Sequence, residues 1–507
     1  MSQIQVLPIH EVIQFEQPPR YTKEERSSVF LITVPIQRLL SSLKHDVSKV
    51  GLVLQMGYFN STHKFFTANK FRHADIYYVA KLLGVAVKPQ TFIADYKDRT
   101  RNHHKLKILE LMGYNAANHH EDFIEESIAD LTSKQMHPRQ ILFSVIDLLI
   151  DKKIETPNYD YFAKIITKHQ RLFETNMIKK LKTIIQRKHM AALDDLLKED
   201  KAFEHGLLTK LKNISQATNE KSIRENIHNY LILKRLYLEI KELIEALGIS
   251  HEAIRFYAGW IIKAHTKSQI FDIKDKYKQY LYLACFLSHQ YACWQDTLLE
   301  INQKCVAQYL AKVEKSFNAY QLKAADEKNK LGKSLLQKYK NNLQAIDDIK
   351  AVLMDEILNN DQKINILKKM LLADTDQKDM GIKNEFGKFE EALSGQEEKN
   401  MLYRIMAKQS PSLQKRVGNI IKHLEFIVPD QSLAKAINYY QQETKVTRNA
   451  PGEFLNNDEY YAVFEQNKFS VPLYKSILFL HVYENIRAGT KNISSCQLLP
   501  VGQRPGG

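Results

Sequence analysis

Between Pro157 and Pro411 the chain holds no proline. A proline removes a backbone donor and collides with the preceding turn of a helix, so a long stretch without one lets helices run unbroken. Apolar residues recur at three- and four-residue spacing over 221–247, 251–265, 274–316, 335–358 and 361–373, the mark of helices with one buried face. Gly206, Gly248, Gly332 and Gly381 stand at plausible breaks. No alternation of period two competes, and no fixed-period repeat points to a solenoid. The predicted fold class is all-α.

The N-terminal part is punctuated differently. Pro8, Pro18 and Pro19 suit an extended arm over residues 1–20. Thr22 then stands as a helix N-cap with Glu25 three positions on, a reciprocal capping box. A helix is predicted over 46–58, with Val47, Val50, Leu54 and Tyr58 on one face, and another over 75–83 before Gly84. A longer helix is predicted over 90–112, stopped by Gly113. Several short helices with a basic last one make up a helix-turn-helix-like reader.

Charge separates the modules. Residues 1–107 hold 16 Lys and Arg against 8 Asp and Glu; residues 108–162 hold 4 against 10, and residues 163–190 hold 8 against 1. That alternation reads as a basic module, an acidic connector and a second basic module. The second module begins near Pro138, with helices over 139–152 and 163–197. The net charge of +15 favours a polyanionic partner without naming it.

Four cysteines, Cys285, Cys293, Cys305 and Cys496, are too few and too irregularly spaced for a disulfide framework or a zinc site. Reduced thiols in the cytoplasm are expected. No signal-peptide pattern opens the chain, and no run approaches the ~20 apolar residues that span a bilayer, so no membrane partner is expected. Pro411 and Pro429 are expected to bracket a helical pair, and residues 472–488 form the last helix before Gly489. Residues 494–507 lack periodicity and read as an irregular tail.

Little in the chain resembles catalytic apparatus. Gly332-Lys333-Ser334 lacks the glycine that a phosphate-binding loop needs five residues earlier, where Glu327 stands; a break between polar helices is the expectation. His103-His104 and His119-His120 are neighbours, which on a helix point to different sides, so surface or phosphate-contacting histidines are expected rather than metal ligands. Asp194-Asp195, Asp347-Asp348 and Glu453, Asp458 and Glu459 lie beside lysines and read as solvated faces rather than as metal-binding catalytic carboxylates. No catalytic residue, metal site or cofactor is assigned.

The basic helices carry the functional signal. Arginine pairs bidentately with guanine edges while lysine mostly neutralises phosphate. Arg99 and Arg101 are therefore the candidate readers, with Lys97, His104, Lys105 and Lys107 beside them. Lys164, Lys168, Arg171, Lys179, Lys180, Lys182, Arg187 and Lys188 form the second candidate set, interleaved with Ile165, Ile166, Leu172, Ile178 and Leu181. A solvated helix surface is the plain alternative for both.

The order of Gly51-Leu52-Val53-Leu54-Gln55-Met56-Gly57-Tyr58 and Tyr96-Lys97-Asp98-Arg99-Thr100-Arg101-Asn102-His103-His104-Lys105-Leu106 resembles the N-terminal region of the Tn-three family of replicative transposases. Pro138-Arg139-Gln140 with Ile154-Glu155-Thr156-Pro157, Tyr280 to Phe286 with Asp296, and Ile486-Arg487-Ala488-Gly489 extend the resemblance to about residue 493. In that family the helical N-terminal half binds the terminal inverted repeats, and a ribonuclease-H-like domain beyond it carries an Asp-Asp-Glu triad. No residue here matches that triad.

The resemblance implies a non-catalytic chain that binds double-stranded DNA at transposon ends, as a homodimer or with a full-length transposase. The expected divisions are an arm (1–20), a first DNA-binding module (21–125), a second basic module (126–215), a helical body with a dimerisation region (216–410), a further helical region (411–493) and the tail (494–507). The alternative is a helical protein-interaction scaffold, or a protein that binds nucleic acid without sequence preference.

Overall fold

The computed structural model describes residues 4–198, 206–264, 267–357, 359–372, 383–391, 396–426, 428–464 and 468–489. Their regular structure is helical, with no strand among the described residues. In chain order the helices are α1 (Ile9–Phe15), α2 (Lys23–Val29), α3 (Val34–Ser41), α4 (Asp46–Thr62), α5 (His73–Leu82), α6 (Pro89–Asp95), α7 (Asp98–Met112), α8 (Glu121–Ser133), α9 (Pro138–Asp151), α10 (Tyr159–Ile184) and α11 (Arg187–Asp195). There follow α12 (Gly206–Lys212), α13 (Glu220–Leu247), α14 (His251–Lys263), α15 (Lys267–Phe271), α16 (Lys276–Met354), α17 (Asn360–Leu372), α18 (Gln396–His423), α19 (Gln431–Gln442), α20 (Asn457–Val463) and α21 (Val471–Arg487). The tail expected over 494–507 and the break expected at Gly381 lie outside the described residues.

The chain divides into two compact units, Met1–Lys198 with Leu236–His289, and Glu199–Arg235 with Gln290–Gly507. Within the first, α4 is the central post of one core. Its residues from Val50 to Phe59 are all buried, so the single apolar face predicted for it is replaced by burial on every side. Two glycines make that possible. A Cβ at Gly51 would run into the Tyr96 ring, and one at Gly57 would run into Phe30. Helices α2, α3, α5 and α7 pack around this post, and Phe30, Tyr58, Phe71, Phe92 and Tyr96 fill the spaces between them.

The core also holds a charge. Asp75 is fully buried, and its carboxylate accepts from Arg26 Nε at 2.7 Å and from the Tyr58 hydroxyl at 2.7 Å. A buried ion stays tolerable only when its lone pairs are met in this way. The capping box of Thr22 and Glu25 forms as expected and starts the helix that carries Arg26.

A second core lies beside the first. Ile124, Ile128, Ile141, Leu142, Val145, Leu149, Phe162 and Ile166 of α8, α9 and α10 join Val6 and Leu7 from the start of the chain. This corrects the expected arm. Residues 9–15 form α1, the Leu7 amide donates to the Tyr159 hydroxyl at 3.2 Å, and the first module is an insertion between two parts of the second core. Prolines at 8, 18 and 19 flank α1 rather than forbid it, since a proline just before a helix leaves no helical bond to break.

Glu16 secures this arrangement through Lys64 at 2.5 Å, Lys70 at 2.6 Å and the Tyr159 amide at 2.9 Å. Burial alone would raise its carboxyl, but these donors outweigh it and hold the pKa at about 2. The pairing of Asn115 with Lys153 and Glu155 backbone groups adds a further clip, at 2.8 and 2.9 Å.

Three other expectations change. The helix predicted over 90–112 breaks at Tyr96-Lys97, giving α6 and α7. The break predicted at Gly332 is absent: α16 runs through it, and a Cβ there would find only Phe389 at 3.6 Å, so glycine supplies no turn at this point. Pro411 lies inside α18 instead of bounding it. By contrast Gly84, Gly113, Gly248 and Gly489 adopt the left-handed conformation that ends helices, as their positions predicted.

Candidate nucleic-acid interface

Helix α7 rests on the central post through a polar network as well as through apolar packing. The buried Gln55 side chain donates to the Tyr96 hydroxyl and to the Arg101 carbonyl, the latter at 3.2 Å. The Tyr96 hydroxyl in turn meets His104 Nδ1 at 2.8 Å. His104 is 1% exposed, and burial, with the neighbouring His103 and Lys107, lowers its pKa to about 4. This corrects its place among the DNA-contacting residues: it is a neutral core histidine, on the side of the helix that faces α4.

The outward side of α7 then follows from the 3.6-residue turn. Arg99, Asn102, His103, Leu106 and Glu110 are all exposed and recur at three- and four-residue spacing. Arg99 has no ion-pair partner among the described residues, nor does Lys97 before it or the half-buried Lys107. Arg101 and Lys105, expected beside them, are engaged elsewhere. Arg101 is half-buried and pairs with Asp98 at 2.8 Å, while Lys105 pairs with Glu155 of the second core. The free stripe is thus Arg99, Asn102 and His103 with one apolar side chain, Leu106, and a carboxylate, Glu110, one turn further on.

Asn102 and His103 escape a search of the sequence for cations, because neither carries a fixed charge. Their signal is spacing: they stand three and four positions from Arg99, on the same face. Arginine and asparagine are the side chains that pair bidentately with guanine and adenine edges, and an apolar side chain suits the thymine methyl group.

Helix α10 presents different chemistry. Lys164, Lys168, Arg171, Thr175, Lys179 and Lys182 share one exposed face. The stretch from Lys164 to Lys182 is about 27 Å long at the helical rise. Lys164, Arg171 and Lys179 are unpaired among the described residues. Lys168 pairs with Glu125, and Lys182 lies over the Tyr277 ring, 5.0 Å from its centroid.

The remaining cations of the set are spread round other faces. Lys180 donates to the Leu247 carbonyl at 2.8 Å, helping close the end of α13. Lys188 on α11 pairs with Glu242 at 3.2 Å, and Arg187 stays exposed beside it. The structure brings together three of the eight predicted cations as a free ridge and gives four others, Lys168, Lys180, Lys182 and Lys188, intramolecular work.

The carboxylates that sequence read as solvated faces are ion-paired or hydrogen-bonded. Asp194 takes Lys276 and the Tyr280 hydroxyl, Asp458 takes Lys399, and Glu459 takes His481 at 3.1 Å. Among the described residues no group of three or more His, Cys, Asp or Glu is placed to hold a metal ion, and no helix is long and apolar enough to cross a membrane.

Compared with known proteins, the chain matches no curated protein. Residues 6–169 match a family described as a domain of unknown function (DUF4158), and those bounds take in both N-terminal cores, from Val6 to the start of the α10 ridge.

Proposed function

We propose that this chain binds double-stranded DNA at the ends of a mobile element, as the DNA-recognising part of a transposase of the Tn-three type. The observation that carries the reading is the outward stripe of α7, where Arg99, Asn102 and His103 stand unpaired on a helix seated by Gln55, Tyr96 and His104. A recognition helix needs this combination of polar tips and a fixed base. The α10 ridge supplies phosphate grip, which positions a protein on a duplex without reading it.

The resemblance of residues 51–58 and 96–106 to the Tn-three transposases supports the same reading, and the matched domain is one found at the N-terminus of those proteins. The test is binding of the purified chain to a duplex carrying the element's terminal repeat, against a scrambled duplex, over a salt series. A preference of about tenfold that survives moderate salt, roughly 1.4 kcal/mol, is the expected result. Equal binding to both that collapses with salt defeats it.

Self-association is a second reading, carried by α16. Leu336, Tyr339, Leu343 and Ile346 follow a three-then-four spacing, Leu353 stands seven positions beyond with Lys350 at the place between, and the five apolar side chains are all exposed. That is the seam of a coiled coil. An antiparallel second copy would set Lys340 against Asp347 of its partner, so charge as well as spacing suits two copies of this chain. Sedimentation of the chain and of Leu343→Lys, which leaves the buried face of the helix untouched, separates dimer from monomer.

A further inference from the structure

Within the second unit α16 and α18 enclose an open groove of about 520 Å³ lined by Tyr309, Lys312, Lys315, Ser316, Lys408 and Arg416, with Gln409, Pro411 and Ser412 completing it. Its floor is fixed. The Tyr309 hydroxyl donates to the Met406 carbonyl at 2.9 Å, and Gln409 Nε2 donates to Ser316 Oγ at 2.8 Å. On the far side, buried Ser410 donates to the Pro472 carbonyl at 2.7 Å and holds α18 next to its internal proline.

The lining contains four cations and no carboxylate. Elsewhere in this unit lysines find acids: Lys328 with Glu398, Lys338 with Glu385, Lys399 with Asp458 and Lys435 with Glu453. None of the four groove cations is ion-paired among the described residues. Arg416 donates instead to the Ser412 carbonyl at 3.2 Å and to Gln308 at 2.8 Å, both neutral acceptors that leave its charge uncompensated. Like charges gathered around one groove repel, and the arrangement is relieved by an anion that accepts from several of them at once.

The geometry points to a phosphate-binding groove that takes the sugar-phosphate backbone of a nucleic acid strand, outside the helices that read it. The assignment to a backbone rests on the DNA-binding reading above. The lining favours a backbone over a free nucleotide: Tyr309 is the only aromatic ring in it and is 2% exposed, so no ring is available to stack a base. The positive side chains instead lie along two helices, as a strand of regularly spaced phosphates requires.

The test uses the full chain, a terminal-repeat duplex and a scrambled duplex, each titrated over a salt series. Lys312→Gln, Lys315→Gln and Lys408→Gln are combined, since all three side chains are exposed, and circular dichroism checks the fold. The slope of log affinity against log salt should flatten by about 2 to 3, at about 0.9 for each phosphate no longer neutralised. The ratio between the duplexes should stay unchanged, and the corresponding triple arginine variant should keep the parental slope.

An unchanged slope in the glutamine variant overturns the groove while leaving end recognition standing. Flattening in a protein that never preferred the repeat supports the groove and defeats end recognition. In a second arm, inorganic pyrophosphate that raises the melting temperature of the parent and not of the variant, with the DNA slope unmoved, overturns the backbone assignment.

Discussion

Helices α7 and α10 look alike as strings of lysine and arginine between apolar residues, yet the fold puts them to different use. On α7 the outward stripe is mixed, with one free arginine, an asparagine and a histidine, while Arg101 and Lys105 are tied to Asp98 and Glu155. On α10 the free charged residues are all cationic, Lys164, Arg171 and Lys179, with Thr175 among them. The difference teaches that basic sequence is not basic surface. Which cations remain available depends on acids and carbonyls as far as 67 positions away, and what remains sets the chemistry each helix offers.

The largest effect should come from removing the seat of α7. Gly51→Val pushes into the Tyr96 ring and should cost about 3 kcal/mol. Hydrogen exchange should speed up in α4 and α7 and change less in α8 and α9, whose core is separate. Equal destabilisation of both cores would break the distinction between them.

Next in size is Arg99→Ala. It should cost about 1–3 kcal/mol of binding to the repeat and much less to scrambled DNA, so the ratio between the duplexes falls. Asn102→Ala should act in the same sense. The combined Lys164→Gln, Arg171→Gln and Lys179→Gln variant should instead weaken both duplexes alike and flatten the salt slope by about 0.9 for each phosphate released. A change in discrimination there, or none at Arg99, would erase the contrast between reader and grip.

The smallest effect is set by pH. His104 is held near 4 against an ordinary value near 6.5, so the unfolded chain binds a proton between those values that the folded chain does not. Stability should therefore fall as pH drops from 6.5 toward 4. His104→Gln should remove that part of the slope in thermal unfolding. Glu16 acts lower, since its carboxyl is depressed to about 2: its contribution is present above 4.5 and is lost as pH falls from there toward 2.

Much of the fold was legible because helix ends are local events. Gly84, Gly113, Gly248 and Gly489 stop helices by a conformation that a single residue adopts, and Thr22 with Glu25 start one within four positions. The continuity of α16 through Gly332 was not legible, because a glycine in a helix costs only about 1 kcal/mol and long neighbouring turns outweigh it. Burial of His104 was hidden for a related reason: its partner Tyr96, itself held by Gln55, meets it only after α6 and α7 bend apart at Lys97. Of the site, the basic helices were visible, but the free residues on them were not.

The insertion of the first module between two parts of the second core has a consequence during synthesis. Leu7 meets Tyr159 across 152 positions, so the opening segment leaves the ribosome long before its partners exist. At the usual pace of about 5–20 residues per second, that wait lasts roughly 8–30 s. The inserted module, complete by Met112, has time to close around α4 first, and Val6 and Leu7 are captured only when α10 emerges. An N-terminal fusion or truncation therefore reaches the second core rather than the first, and a chain nicked ahead of Tyr21 would lose the α8–α10 packing before it lost α7.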